Sequence, residues 1–173
     1  LKTRLSEAQE IAKSLMGMFL YDTVVDTIVC LEGTQVIGSF LAQELTGAGV
    51  LSMNAHKTIY IVTPEYNSNS QMVFKENILP MIRGKNVILL TASVTTGLAL
   101  NKGIESVLYY GGVLRGITAI FSALDEINGH KITSIFNKRD VPEYAFYDYR
   151  DCPFCKQGRK LEALVNSYGY TSL

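Results

Sequence analysis

Ser93-Val94-Thr95-Thr96-Gly97 follows closely on the apolar run Asn86 to Leu90. Two adjacent hydroxyls and a bare glycine backbone therefore stand where a chain leaving a buried strand has to turn. A helix beginning near Gly97 would aim its free N–H groups and the positive end of its dipole into that turn, and a phosphate is the natural occupant. The same shape also describes an ordinary strand-to-helix connection capped by threonine.

Two other groups of residues carry chemistry. Cys152-Pro153-Phe154-Cys155 has the spacing of a glutaredoxin-like dithiol, but too little chain follows Cys155 to build a redox domain around it. Two thiolates are also half of a tetrahedral zinc site, and His56 and His130 are distant in sequence. A full site would need Cys152 and Cys155 from each of two chains across a dimer axis. The plainer alternative is a tight turn with two packed thiols. Just before this pair, Val141 to Tyr149 concentrates aromatic residues, of which Tyr144 and Phe146 could stack a planar base or pack at an interface. Cys30 lies inside an apolar run, where a buried structural thiol is expected.

The elements that must position these groups alternate. Ser6-Glu7-Ala8-Gln9 has the form of a capping box and opens a helix from about Ser6 to about Leu20. Its Met16, Met18 and Phe19 read as a packing stripe or the lining of a pocket. Asp26 to Leu31 reads as a strand, closed by Glu32-Gly33-Thr34, and Val36, Ile37, Phe40, Leu41 and Leu45 follow at helical spacing. Val50 to Met53 and Ile59 to Val62 read as short strands. Thr63 to Gln71 reads as a mobile loop or hairpin tip, Val73-Phe74 as a resumed strand, and Glu76 to Arg83 as a short helix ended by Gly84. After the Asn86 strand a helix is expected from Leu98 to Tyr110. Strands follow at Ile117 to Phe121 and Ile132 to Phe136, separated by a charged stretch ending in a turn at Gly129, and a final helix is expected near Arg159 to Asn166. Strand-then-helix alternation predicts an α/β fold with a central, mainly parallel sheet flanked by helices. One domain is expected over residues 1–173, with 1–25 and about 141–173 forming a small hood or tail.

Composition narrows the function. Sixteen basic residues balance sixteen acidic ones, with no dense basic run, so a broad footprint for nucleic acid is absent. No apolar segment reaches membrane-spanning length without charge. Leu1 opens no recognisable signal peptide, and the missing initiator Met leaves room for a start upstream. Three cysteines fit a reducing compartment better than a disulfide framework, so a cytoplasmic protein is expected. With 18% charged residues, much of the chain is available for interior or subunit contact, and a homodimer is expected.

The central stretch resembles the ribose-phosphate-binding motif of the type I phosphoribosyltransferases, written roughly V-L-L-V-D-D-V-I-T-T-G. Here the frame reads Val87-Ile88-Leu89-Leu90-Thr91-Ala92-Ser93-Val94-Thr95-Thr96-Gly97. Gly84-Lys85 before the strand resembles the orotate branch. The resemblance implies that Ser93, Val94, Thr95, Thr96 and Gly97 wrap the 5′-phosphate. It places a pyrophosphate loop at Glu32, Gly33 and Thr34, and base recognition near Tyr144 and Phe146. Two departures alter the expected chemistry. Thr91 and Ala92 stand where the family carries its ribose-gripping carboxylates, and the flexible catalytic loop corresponds to Thr63 to Ser70, which lacks the family's cations, Lys75 being the nearest. The expectation is a ribose-phosphate or nucleotide binder with impaired or altered transfer. The alternative is an active orotate-like or purine transferase using phosphoribosyl pyrophosphate and Mg²⁺.

Overall fold

Val87, Ile88, Leu89 and Leu90 are all completely buried, and their alternation decides the architecture. Val87 and Leu89 enter one hydrophobic cluster with Leu100, Ile104 and Val107, while Ile88 and Leu90 enter another with Ala8, Ala12, Leu15, Ile37 and Leu41. A strand whose odd and even residues both meet helices is the centre of a three-layer α/β sandwich. The computed structural model describes residues 2, 4–19, 23–47, 52–55, 57–166 and 169–173.

In chain order the elements are α1 (Leu5–Phe19), β1 (Thr27–Cys30), α2 (Gln35–Gly47), β2 (Tyr60–Val62), β3 (Glu65–Tyr66), β4 (Met72–Val73) and β5 (Asn86–Val94). There follow α3 (Leu98–Tyr109), β6 (Val113–Ser122), β7 (Glu126–Ile127), β8 (His130–Asn137), α4 (Pro153–Lys156), β9 (Ala163–Asn166) and β10 (Gly169–Ser172). Six strands form one sheet in the order β2-β1-β5-β6-β8-β7, parallel except for the β7 edge. Helices α1 and α2 cover one face and α3 the other. The central, mainly parallel sheet expected from the strand-then-helix rhythm is therefore the fold.

Several local expectations need correction. The strand carrying the motif does not end at Leu90 but continues to Val94, paired with β6 as far as Val94↔Ser122. The helix expected over Glu76 to Arg83 is only a 3₁₀ turn at Leu79–Met81, because Pro80 cannot donate within a helix. Of the strand expected at Val50 to Met53, Ser52 lies in no strand and Met53 opens a turn, while Val50 and Leu51 fall outside the described residues. The final helix expected from Arg159 to Asn166 is absent. Ala163–Asn166 pairs antiparallel with Gly169–Ser172, since so short a helix with no packed face is marginal and Tyr170 and Thr171 favour a strand. Of the two segments assigned to a hood, α1 lies along the sheet in the α2 layer, and residues 141–173 carry α4 and the exposed β9–β10 hairpin.

Candidate functional site

The strand order changes direction at β1. Its successor β2 lies on one side of it and β5 on the other, so the carboxyl ends of β1 and β5 flank a topological switch point, where ligands of open α/β sheets bind. Two turns meet there. One is Glu32-Gly33, after β1, and the other is Thr95-Thr96-Gly97, between β5 and α3.

The second turn is built as a donor cradle. Gly97 takes the left-handed conformation, φ 78° and ψ 1°, as the residue capping α3. No side chain fits easily there, since a Cβ would meet Ile127 Cδ1 at 2.5 Å and Leu124 Cδ1 at 3.3 Å. The first α3 bond of this turn runs from Asn101 N–H to the Gly97 carbonyl at 2.8 Å. Among the described residues, the backbone N–H groups from Thr95 to Leu100 donate to no carbonyl. They surround a cavity of about 210 Å³, lined by Glu32, Thr91 and the run Ser93 to Leu100. Unpaired donors at the positive end of a helix dipole are complementary to an anion. A larger cavity of about 600 Å³ lies against β8 beside Arg115, His130 and Lys131. Convergent donors, not volume, distinguish the smaller one.

The fold has parallels among solved structures. The orotate phosphoribosyltransferase of Mycobacterium tuberculosis H37Rv, in complex with phosphoribosyl pyrophosphate, matches with a TM-score of 0.59 over 81% of this chain and 78% of that one, at 12% identity. The chain has the type I phosphoribosyltransferase fold. A hypoxanthine-guanine phosphoribosyltransferase of Bacillus anthracis matches with a TM-score of 0.52 over 78% of each chain, at 16% identity. The UMP synthase of Leishmania donovani matches with 0.51 over 90% of this chain and 30% of that one, at 13% identity. No family model and no curated protein matches the sequence.

On this phosphoribosyltransferase scaffold the residues singled out by sequence fall into distinct places. Ser93 and Val94 are strand residues; Ser93 is exposed and Val94 is buried in the core. Thr95 and Thr96 form the turn itself, half-buried and exposed respectively. Thr91 and Ala92, being consecutive in a strand, turn to opposite faces. Thr91 is buried toward the cavity, and Ala92 packs against the α1–α2 layer and lines no part of it.

The β1–α2 turn divides its three candidates. Thr34 is structural, its buried hydroxyl shared between the carbonyls of Leu31 at 2.8 Å and Leu90 at 3.2 Å. Gly33 is exposed at φ 75°. Glu32 is the residue that enters the site, its Oε2 accepting from Thr91 Oγ1 at 2.9 Å and from Ser93 N–H at 3.4 Å. Lys2 donates to the Glu32 carbonyl at 2.6 Å. Neither Lys2 nor the Glu32–Thr91 contact was legible from sequence, because the partners are 30 and 59 residues apart.

The segment Thr63 to Gln71 is a hairpin tip. β3 and β4 pair antiparallel, Asn67 Oδ1 accepts from the N–H groups of Asn69 and Gln71, and the hairpin is tied to α3 by Lys102 on Ser70 O and Ser106 on Met72 O. It brings Tyr66 toward Glu32: burial raises the Tyr66 hydroxyl above its ordinary value, and the nearby Glu32 charge adds to the rise. Lys75 is paired with Glu65 at 2.9 Å.

Tyr144 packs edge-on against Phe121, with centroids 4.9 Å apart, and Phe121 is the ladder partner of Ser93. Phe146 lies tilted against Tyr144 at 6.3 Å. The aromatic cluster thus flanks the β6 side of the same sheet edge. Cys152 caps α4, accepting from Cys155 N–H at 3.4 Å. Hydrogen bonding from Cys155 lowers the Cys152 thiol and raises that of Cys155 itself. No group of three or more His, Cys, Asp or Glu that could hold a metal occurs among the described residues. Cys30 is fully buried, and burial pushes its thiol up to about 12, so it is no nucleophile.

Mg²⁺ binds through carboxylate and phosphate oxygens. Among the described residues Glu32 is the single carboxylate lining the cavity, and that donor set falls short of a dedicated Mg²⁺ site.

Proposed function

We propose that the chain binds the 5′-phosphate of a ribose phosphate or nucleotide at Ser93 to Gly97, with its phosphoribosyl-transfer chemistry impaired or altered. The row of N–H groups from Thr95 to Leu100 that donate to no carbonyl carries this reading, because the same residues line a small cavity at the start of α3, between the carboxyl ends of β1 and β5. The M. tuberculosis structure that shares the fold holds phosphoribosyl pyrophosphate, which supports a ribose phosphate as the ligand class.

Impairment follows from what faces the cradle. Ala92 turns to the other layer, Thr91 offers a hydroxyl already engaged with Glu32, and Lys75 is committed to Glu65. Removing one group that stabilises developing charge typically costs about 10² to 10³ in rate, and several are missing together. Base stacking by Tyr144 and Phe146 and a cytoplasmic homodimer belong to the same proposal. Exposed Phe136, Tyr149 and Val165 supply apolar surface for a second copy. No described helix is long and apolar enough to cross a membrane.

Calorimetry with ribose 5-phosphate and nucleoside monophosphates tests binding, and a pyrophosphate-release assay over a panel of bases tests chemistry. Binding without turnover is expected. Turnover with any base would instead establish the active transferase, and absence of all phosphate binding would remove the cradle.

A further inference from the structure

Glu32 occupies a conformation that residues with side chains avoid, φ 54°. Glycine would sit there without strain, so a carboxylate kept in that position points to a task for the side chain. The backbone is held on one side by Lys2 on the Glu32 carbonyl. On the other side the carboxylate crosses from the β1–α2 turn to β5, where Thr91 Oγ1 and Ser93 N–H both donate to Oε2. Oε1 keeps its lone pairs for a ligand. The result is a positioned negative charge on the wall of an anion cradle, in the 210 Å³ cavity that Thr95, Thr96 and Gly97 also line.

A carboxylate in that place acts on ligands in two ways. It repels a second phosphate group lying toward the β1–α2 turn, where the Lys2 ammonium is already bonded to the Glu32 carbonyl. It also accepts hydrogen bonds from hydroxyls next to the phosphate in the cradle, and such charge-assisted bonds are stronger than neutral ones. Inorganic phosphate offers no such neighbouring hydroxyls, whereas a sugar phosphate does.

Resting on the phosphate-binding reading proposed above, we infer that Glu32 is the residue that reads the sugar. It accepts from ribose hydroxyls in place of a carboxylate at Thr91 or Ala92, and it turns away ligands that carry a diphosphate at the anomeric carbon. The ligand class is then a ribose monophosphate, free or within a nucleoside monophosphate, and not phosphoribosyl pyrophosphate.

The test is calorimetric titration of the full chain, wild type and E32Q, with ribose 5-phosphate, inorganic phosphate and phosphoribosyl pyrophosphate. Wild type is expected to prefer ribose 5-phosphate to both others. In E32Q the affinity for ribose 5-phosphate falls about tenfold or more, that for inorganic phosphate holds or rises, and that for phosphoribosyl pyrophosphate rises. T91V keeps the carboxylate but removes the shorter of its two anchoring hydrogen bonds, and an intermediate loss of the ribose preference is expected; it supplies the same comparison should E32Q not fold. If the ratio of ribose 5-phosphate to phosphate affinity is unchanged in E32Q and T91V, the sugar-reading role is overturned while phosphate binding stands. If wild type binds none of the three ligands, the phosphate site itself falls, and the role of Glu32 with it.

Discussion

The two ends of the parallel sheet use their polar groups in opposite ways. At the amino ends of the strands a set of polar side chains is paired across the chain. Asp26 Oδ2 accepts from Asn86 N–H at 2.8 Å and from the Asn86 amide at 2.6 Å, while Arg115 Nε donates to Asn86 Oδ1 at 2.7 Å. The buried hydroxyl of Thr27 donates to the Met81 carbonyl. Buried Asn54 accepts from Val25 N–H and donates to Thr23 O, both at 2.8 Å. At the carboxyl ends, Thr95 to Leu100 leave their N–H groups unanswered beside the Glu32 charge. Since an unpaired buried polar group costs about 1–3 kcal/mol, the pairing at the first end is organised for stability, whereas at the second, where Thr96 and Leu98 are exposed, the helix-end donors are left to solvent or a ligand. Substitutions at the two ends should therefore separate into those that move stability and those that move binding.

Gly97 is the position where the two properties meet, and its substitution should have the largest effect. G97A forces a side chain into the left-handed region and toward Ile127 Cδ1, at a cost of about 1–2 kcal/mol from the backbone and about 1–3 kcal/mol from crowding. A loss of about 2–5 kcal/mol in denaturant unfolding is expected, together with loss of phosphate binding by calorimetry, because the turn that aims the donors is displaced. Full phosphate affinity in G97A would show that the turn geometry does not build the site.

Asp26 tests the stable end alone. Burial works against its charge, but the Asn86 N–H and amide, together with the Lys57 and Lys85 charges, outweigh that and hold the carboxyl below its ordinary value of 3.8. A carboxyl depressed by folding contributes stability above its unfolded pKa and loses it as pH falls through the folded one. D26N should cost about 1 kcal/mol at pH 7, and the gap to wild type should close as the pH drops below about 4, read as melting temperature against pH. Phosphate affinity at pH 7 should not change. A parallel loss of affinity would couple the two ends and break the division between them.

The division also explains what the sequence made legible. The continuous apolar run from Val87 to Leu90 is a local pattern, and with the helical spacing of Ile37, Leu41 and Leu45 and the strand-then-helix rhythm it was enough to expect the sheet, its helices and the Thr95-Thr96-Gly97 turn. Glu32 was marked only as part of a loop, because its partner Thr91 lies 59 residues away and no local pattern joins them. The β7–β8 hairpin carried a readable signal in Asn128-Gly129, whose φ values of 50° and 76° fit the two-residue turn between Ile127 and His130, yet the charged residues before it obscured the strand. The tail failed for another reason. Leu164, Val165 and Tyr170 remain exposed in β9 and β10, so no burial pattern existed to distinguish helix from strand.

The smallest expected effect gives the cleanest reading of the open end. Thr96 is exposed and Thr95 half-buried, and neither hydroxyl is engaged in the core, so alanine at either should leave stability within about 0.5 kcal/mol of wild type. If the backbone supplies most of the grip, each hydroxyl contributes one ordinary hydrogen bond of about 0.5–1.5 kcal/mol, which is roughly a two- to tenfold loss of phosphate affinity by calorimetry. T95A and T96A together should then still bind, because the N–H groups of the turn and the first helical residues remain. Abolished binding in the double variant with an unchanged melting temperature would shift recognition from the backbone to the side chains. The open end would then differ from the amino end in its choice of side chains, and not in leaving backbone donors unanswered.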